Sequence, residues 1–188
     1  MLFFTKKGRC YWLKVYDLPE GAKNTKGRAI QNLLNIESDD AVNAFIRVKG
    51  LEDKEFVNSH NLVFATKKGI IKKTKLEAYS RPRANGVNAI IIRDDDQLIQ
   101  VELTDGNSEI LLANRNGRAI RFHESKVREM GRVSTGVRGM SLDDDNDEVV
   151  GMICMNQSSE NNVMVISENG YGKRSLLDDY RITNRGGK

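Results

Sequence analysis

The sequence predicts an all-β protein built from propeller-like units of about four strands each. One pattern recurs four times in the 188 residues: a short apolar run, a Gly turn, a second run carrying Lys or Arg, and a Gly-rich basic loop. The turn glycines lie 61, 48 and 53 residues apart, at Gly8, Gly69, Gly117 and Gly170. These intervals are too long for helical hairpin repeats and approach the length of a four-stranded blade. We therefore expect about three full blades and part of a fourth.

The repeat divides the chain into four approximate units. They cover residues 2–60, 61–107, 108–160 and 161–188, and the last is truncated. The first interval is the longest because the polar stretch 49–61 interrupts it. We expect this stretch to be an inserted surface loop.

The second unit shows how the strands are predicted. Residues 62–66 and 70–74 are β-rich runs joined by the Gly69 turn, which predicts a hairpin. Two further β-rich runs, 87–93 and 97–104, flank an acidic turn. Helical periodicity is poor, because β-branched and aromatic residues cluster in short runs that Gly, Asn and Asp interrupt. Only short segments such as 125–130 are candidates for a helical turn.

Two of the turns carry an Asn-Gly pair, Asn116-Gly117 and Asn169-Gly170. A two-residue type I′ turn needs positive φ at both central residues, which Gly adopts freely and Asn better than most residues. The pairs therefore predict type I′ hairpins in the third and fourth units.

Composition excludes a membrane function. No apolar run approaches the roughly 20 residues that span a bilayer, and the apolar start of the chain is too short for a signal peptide. Cys10 and Cys154 are isolated and lie in predicted strands, where a free thiol behaves as a small hydrophobe. We expect a cytoplasmic protein.

The net charge of +4 is moderate, but its distribution follows the repeat. Basic residues crowd the turns and the strands after them, as in 67–75, 115–121 and 169–174. Acidic residues crowd a different part of each unit, as in 94–96 and 143–148. If all units fold alike, the two signs lie on different edges and form a basic rim. For one unit alone, simple solvation of charged turns explains the pattern better, and it is the agreement of four units in phase that favours the rim.

The Gly-rich loop of each unit combines two residue types that phosphate recognition uses. Gly lets the backbone approach a phosphate closely, while Lys and Arg donate charge-assisted hydrogen bonds. The loops span Gly21–Ala29, Ser80–Gly86, Gly131–Gly139 and Arg181–Lys188. Their glycines Gly27, Gly86, Gly136 and Gly186 follow the turn glycines by 19, 17, 19 and 16 residues.

Three long stretches, Trp12–Leu34, Arg121–Met140 and Asn169–Tyr180, together carry a family resemblance that covers essentially the whole chain. The chain resembles the C-terminal domain of DNA gyrase A and its relative in topoisomerase IV. This resemblance implies a β-pinwheel of propeller-like blades that binds duplex DNA and bends it around a basic perimeter. It also places the chain from the second blade into the fifth, as a fragment of that domain. The gyrase-specific Gln-Arg-Arg-Gly-Gly-Lys-Gly type box of the first blade is absent, and the nearest stretch is Asn184–Lys188.

The resemblance further implies partners and cofactors for the whole enzyme. The partners are double-stranded DNA, the rest of DNA gyrase A, and gyrase B, with which it forms a heterotetramer. ATP and Mg act elsewhere in that enzyme, so we expect no cofactor in this fragment. The candidate DNA contacts are the cations of the turns, second strands and basic loops: Arg9, Lys14, Lys26, Arg28, Lys72, Lys73, Arg81, Arg83, Arg118, Arg121, Arg132, Arg138, Lys173, Arg174 and Arg185.

No residue pattern supports catalysis or a metal site. His60 and His123 are isolated, without the spacing of metal ligands. The acidic run at 143–148 resembles the start of a calcium loop, but Glu148 replaces the required Gly and Cys154 the required Glu. Two alternatives to a gyrase DNA-wrapping module stay open. One is a topoisomerase IV domain that selects substrate geometry, and the other is a propeller-like scaffold for protein interactions.

Overall fold

The computed structural model describes residues 1–156 and 162–187. The predicted boundary between the third and fourth units and the last loop residue, Lys188, lie outside the described residues. The regular secondary structure of the described chain is almost entirely β. Its strands are β1 Leu2–Thr5, β2 Arg9–Trp12, β3 Val42–Ile46, β4 Asn61–Thr66, β5 Ile70–Lys75, β6 Val87–Asn88, β7 Leu98–Thr104, β8 Ser108–Asn114, β9 Ala119–His123, β10 Val137–Arg138, β11 Val149–Asn156, β12 Asn162–Ile166 and β13 Gly172–Leu176.

Helical structure is short. One α-helix, α1, spans Lys54–Ser59 within the stretch expected to be an inserted loop, and the Asp53 side chain caps it by accepting a hydrogen bond from Phe56 N. The 3₁₀ turns span Val15–Asp17, Ile30–Asn32, Leu76–Tyr79, Glu124–Lys126 and Leu177–Asp179. Within the described ranges, no helix is long and apolar enough to cross a membrane.

The strands form a series of small antiparallel sheets, which confirms the all-β repeat fold. Sheet 1 has the order β3-β1-β2-β6, sheet 2 the order β7-β4-β5-β10, sheet 3 the order β11-β8-β9, and sheet 4 pairs β12 with β13. Each sheet contains one hairpin, and in sheets 1 to 3 the first hairpin strand also pairs with a strand from later in the same unit. The fourth strand of sheets 1 and 2 comes from the following unit. Neighbouring units are thus interlocked by strand exchange.

The predicted strands of the second unit are largely confirmed. The hairpin is β4 and β5, and the run 97–104 is β7. The run 87–93 is a strand only at Val87–Asn88, because the amides of Ala89 and Ile90 then turn to the Gly8 carbonyl instead of continuing a ladder.

The four hairpin turns share one geometry, and it is not type I′. Within the described chain no residue other than Gly has positive φ, so the Asn-Gly prediction was wrong. In each turn the glycine amide donates to the carbonyl three residues earlier, as from Gly117 N to Asn114 O. A polar side chain at that earlier position then accepts from the amide after the glycine; these acceptors are Thr5, Thr66, Asn114 and Ser167. This is the three-residue loop that ends in a left-handed glycine.

The core lies between successive sheets. Leu2, Phe4 and Phe64 are fully buried between sheets 1 and 2, where the rings of Phe4 and Phe64 meet edge to face with centroids 5.4 Å apart. Ile71 and Phe122 are fully buried between sheets 2 and 3. Each sheet therefore needs its neighbour to bury its apolar face.

The edge strands β3, β7 and β11 lie next to one another. β7 contacts both β3 and β11, and two side-chain amides bridge these edges. Asn43 Nδ2 donates to Leu98 O over 2.7 Å, and Gln100 Oε1 accepts from Met152 N over 3.0 Å. The sheets thus meet along one set of edges, and the exchanged strands β6 and β10 lie at the opposite edges of sheets 1 and 2.

Candidate nucleic-acid interface

Four Gly-rich segments, which we call the basic loops, each carry at least one exposed cation; they span residues 21–29, 80–86, 131–139 and 181–187. The last three each run from a 3₁₀ turn back to the hairpin of the preceding unit. Most of their predicted contact residues are exposed, and Arg132 is half-buried. The exposed members are Lys26, Arg28, Arg81, Arg83, Arg138 and Arg185. Arg181, also exposed, is absent from the candidate residues although it opens the fourth loop motif.

Two glycines of these loops allow close packing of the loop against a neighbouring hairpin. A Cβ on Gly86 would lie 2.9 Å from Cys10 O, and one on Gly136 would lie 2.6 Å from Ile71 O. Both residues also have positive φ, of 66° and 111°. Gly86 and Gly136 therefore let the loop lie against the neighbouring hairpin, where we expected an approach to phosphate.

The chain at or just after the end of two basic loops, 80–86 and 131–139, is fixed to the turn of the preceding hairpin. Ala89 N and Ile90 N donate to Gly8 O over 2.8 and 3.2 Å. Gly139 N donates to Gly69 O over 2.8 Å, and Met140 N donates to the same oxygen over 3.2 Å. Because the geometry repeats, the loops 80–86 and 131–139 occupy equivalent places on successive sheets.

The expected segregation of charge was wrong, because acidic segments lie directly against the basic turns. β3, β7 and β11 run antiparallel to the first strands of their hairpins, so they begin at the turn end of each sheet. The acidic residues just before these strands therefore reach the turn. Asp40, Asp96 and Asp147 each accept a hydrogen bond from a turn amide, from Lys7 N, Lys68 N and Asn116 N respectively.

Ion pairs then neutralise one basic side chain in each of the first three turns. Lys7 Nζ lies 2.6 Å from an Asp39 carboxylate oxygen, and this contact raises the pKa of Lys7 and lowers that of Asp39. Glu148 binds both Lys67, at 2.6 Å, and Arg115, at 3.3 Å, and the Lys67 contact lowers the pKa of Glu148. In the same way the candidate Arg118 pairs with Asp143 over 3.2 Å.

Lys72 is a candidate contact that the structure places in the interior. Its side chain is fully buried between sheets 1 and 2, and Nζ donates to Ala89 O and Arg132 O over 2.7 and 2.5 Å. Nζ also lies 5.8 Å from the centroid of the Phe64 ring. Burial, with a smaller effect of Arg132, lowers the pKa of Lys72 to about 7. A phosphate cannot reach this amine.

Lys73 and Arg121 are buried at equivalent positions, four residues after their turn glycines. Lys73 Nζ donates to Glu124 O over 3.0 Å, and Arg121 Nη1 donates to Leu177 O over 2.8 Å. In the first hairpin the same position holds Trp12, whose Nε1 donates to a carbonyl of the next unit in the same way. This position links one unit to the 3₁₀ turn of the next.

The buried positions Lys72, Lys73 and Arg121 therefore do not belong to an interface with DNA. Alternation along β5 separates the two lysines onto opposite faces, as expected for a strand, but both faces are covered by neighbouring sheets. Their place inside the second hairpin strand does not by itself distinguish these cations, because Lys173 and Arg174 stand in the second strand of the fourth hairpin and are exposed.

The remaining candidates differ in exposure. Arg9 is half-buried and bonded to the loop 80–86. Lys14 is exposed and lies over the Tyr16 ring at 5.3 Å from its centroid. Lys173 and Arg174 are exposed on β13. In the part of the chain that the structure describes, no group of three or more His, Cys, Asp or Glu side chains is arranged to hold a metal ion.

Comparison with known proteins gives consistent matches. A family described as "DNA gyrase C-terminal domain, beta-propeller" matches residues 1–49, 60–105, 108–156 and 161–188. The DNA gyrase A protein of Staphylococcus aureus (strain NCTC 8325 / PS 47) is 45% identical over all 188 residues, and the chain spans 21% of that relative.

Two solved structures have the same fold. The C-terminal domain of DNA topoisomerase IV superposes with a TM-score of 0.85 at 30% identity, covering 100% of this chain and 56% of that one. A DNA gyrase A C-terminal domain superposes with a TM-score of 0.80 at 22% identity, covering 99% of this chain and 57% of that one. The repeated sheets, the family match and the whole-chain identity agree, and the chain belongs to the family of DNA gyrase A C-terminal domains.

Proposed function

We propose that this chain is a module of DNA gyrase A that binds duplex DNA through the exposed cations of its basic loops. One observation carries the proposal. Within residues 1–156 and 162–187, Lys7, Lys67 and Arg115 of the first three turns are each paired with a carboxylate, whereas Arg81, Arg83, Arg132 and Arg138 of the loops form no ion pair. Positive charge is therefore left at equivalent places on successive sheets, which suits a regularly spaced polyanion.

The contacts would go mainly to phosphates. The one α-helix of the described chain has six residues and carries none of the candidate contacts. We therefore expect no base reading by a helix placed in the major groove. Cations on repeated loops bind sugar-phosphate backbone with little sequence preference.

The same arrangement supports bending of the duplex. Bending DNA by half a turn over a few tens of base pairs costs on the order of 10 kcal/mol, by extrapolation from its persistence length. Contacts spread over several sheets can share that cost, and one loop cannot. In the full proposal, this module wraps DNA as part of a cytoplasmic enzyme that also contains gyrase B. The wrapping supports negative supercoiling, which is driven by the ATP that gyrase B hydrolyses.

Binding is tested by titrating the chain with unrelated duplexes at several salt concentrations. We expect similar affinities for all sequences and a steep loss of affinity with salt, at about −0.9 in slope per neutralised phosphate. Absence of binding at low salt, or a flat salt dependence, contradicts DNA binding and favours a scaffold for protein interactions.

Wrapping needs a separate measurement. A circular plasmid is relaxed by a nicking-closing enzyme with the chain bound, and its linking number is then compared with that of plasmid relaxed alone. A shift of constant sign, growing with the amount of bound protein, is expected for wrapping. Tight binding without a shift means that the chain binds DNA without wrapping it.

The similarity to a topoisomerase IV domain supports a second candidate within the same enzyme class. In that case the module selects the geometry of DNA crossings and does not drive supercoiling. Binding that prefers supercoiled over linear DNA, with no linking-number shift, would favour this second function.

A further inference from the structure

Arg9 lies between the turn of the first hairpin and the basic loop 80–86. It follows the turn glycine of the first hairpin and stands in β2, directly opposite Asn88 of the exchanged strand β6. Its sequence context is that of a rim cation. Its contacts, however, bind it to the protein on three sides.

The three nitrogens of the Arg9 guanidinium have separate acceptors. Nη2 donates to Asn85 O over 2.6 Å, Nη1 donates to Asn88 Oδ1 over 3.2 Å, and Nε donates to the Tyr11 hydroxyl over 3.2 Å. The guanidinium carbon also lies 5.9 Å from the centroid of the Tyr11 ring. A planar group with five donors in fixed directions can make all these bonds at once, which an ammonium cannot.

Asn85 is part of the basic loop 80–86, two residues after Arg83. The loop turns back at this point, since Gly86 N donates to Arg83 O over 3.0 Å. Arg81 and Arg83 themselves are exposed. The Arg9 contact is thus a bond between a strand of one unit and the loop of the next that presents two free cations.

Two other cations bond to a carbonyl in or beside the next basic loop, from different positions in their hairpins. Lys72 donates to Arg132 O in the loop 131–139, and Arg121 donates to Tyr180 O just before the loop 181–187. In each case a cation of the second hairpin strand holds a carbonyl near the next basic loop. Contacts between a second-strand cation and the next basic loop therefore occur at more than one sheet, although not at one fixed position of the hairpin.

We propose that Arg9 is a positioning residue for DNA binding, which holds the loop of Arg81 and Arg83 against β2 and does not itself contact a phosphate. This inference rests on the proposed function. It assigns the strand cations to orienting the basic loops, and the loop cations to binding.

The decisive variants are Arg9→Lys and Arg9→Met, with Lys7→Met as the matched control. Arg9→Lys keeps the charge but loses the planar fork. Lys7→Met removes one charge from the same hairpin, and its side-chain partners are Glu37 and Asp39 instead of a basic loop. Each variant is made in the unaltered chain and in an Arg81→Gln/Arg83→Gln background, and DNA affinity is measured against salt.

If Arg9 positions the loop, Arg9→Lys and Arg9→Met, made without other substitutions, both make the slope of log affinity against log salt less steep. The expected change is up to about 1.8, for two lost phosphate contacts. In the Arg81→Gln/Arg83→Gln background neither has a further effect, so the double-mutant cycle shows complete coupling. Lys7→Met has no effect of this size in either background.

Two results would overturn the proposal. If Arg9 contacts a phosphate directly, Arg9→Lys resembles the unaltered chain and Arg9→Met lowers the slope by about 0.9 in both backgrounds. If Arg9 only stabilises the fold, its variants lower the melting temperature and weaken DNA binding equally in both backgrounds.

A readout without DNA separates this inference from the proposed function. Amide hydrogen exchange in the loop 80–86 is expected to be faster in Arg9→Lys than in the unaltered chain or Lys7→Met. If the unaltered chain binds no DNA, the proposed function and the positioning role both fail. Faster exchange would then leave Arg9 as a structural contact only. Unchanged exchange overturns the positioning role whatever the chain binds.

Discussion

The hairpin turns and the basic loops have similar local composition and opposite electrostatic environments. Lys7, Lys67 and Arg115 at the turns each lie against a carboxylate. Arg81 and Arg138 in the loops extend from the opposite sheet edges, and the described residues place no carboxylate against them. The difference shows that strand direction, more than the local count of Lys and Arg, decides where positive charge remains free.

The turns also have a structural task. The carbonyls of Gly8 and Gly69 accept amides from the next unit, so the turns hold neighbouring sheets together. The comparison therefore assigns docking to the turns and second strands, and binding to the loops.

Replacing Arg121 tests whether cations of the second hairpin strands dock neighbouring units. Its guanidinium is buried with Glu109 and bonded to Leu177 O, so Arg121→Ala leaves a buried carboxylate without its partner. We expect the free energy of unfolding to fall by about 3–5 kcal/mol, measured by urea denaturation. Arg138→Ala, at an exposed loop position, is the control and should cost less than about 0.5 kcal/mol. Equal costs would remove the distinction between strand and loop cations.

Alanine substitutions at two turn glycines distinguish the cost of backbone strain from the cost of disrupted docking between units. Gly69 and Gly117 have nearly the same φ, 80° and 82°, and alanine in this region costs about 1–2 kcal/mol at either position. Only at Gly69 would the new Cβ meet the next unit, 2.6 Å from Met140 O. Gly69→Ala should therefore lower the melting temperature more than Gly117→Ala. Identical melting temperatures would mean that the turn does not dock the next unit.

The buried amine of Lys72 predicts a pH dependence. Its pKa is about 7 in the folded chain, against about 10.4 when unfolded, so folding releases a proton between these values. The penalty for burying the charge is full below pH 7 and disappears as pH rises towards 10. Stability of the unaltered chain relative to Lys72→Met should thus increase over this range.

Measuring the difference between the two proteins cancels the other titrating groups, including the two cysteines, whose thiol pKa values burial raises. Lys6→Met, at an exposed turn position, is the control and should show no such rise. A constant difference between the unaltered chain and Lys72→Met from about pH 6 to 9 would show that Lys72 keeps an ordinary pKa.

The sequence predicts the local parts of this fold well. The hairpin around Gly69 and the strand β7 follow from runs of β-branched residues between turns. The exchange of β6 and β10 could not be predicted, because a two-residue strand has no pattern of its own and forms only where another unit accepts it. The pairing of acidic segments with basic turns could have been deduced from the antiparallel direction of β3, β7 and β11.

The candidate interface was predictable to a similar degree. The repeated loop motif identified Arg81, Arg83 and Arg138, which are exposed. The same charge pattern included Lys72 and Arg121, whose burial depends on the packing of a neighbouring sheet. Local sequence shows that a position is basic, and only the tertiary contacts show whether its charge reaches solvent.

The division between loops and turns is tested most directly by two variants of equal charge. One replaces the loop cations Arg81, Arg83, Arg132 and Arg138 with Gln, and the other replaces the ion-paired turn cations Lys7, Lys67, Arg115 and Arg118 with Gln. The measurement is the slope of log affinity for duplex DNA against log salt. We predict that the loop variant loses up to about 3.6 of this slope and the turn variant less than about 0.9. Equal losses in both variants, or the larger loss in the turn variant, would contradict the account.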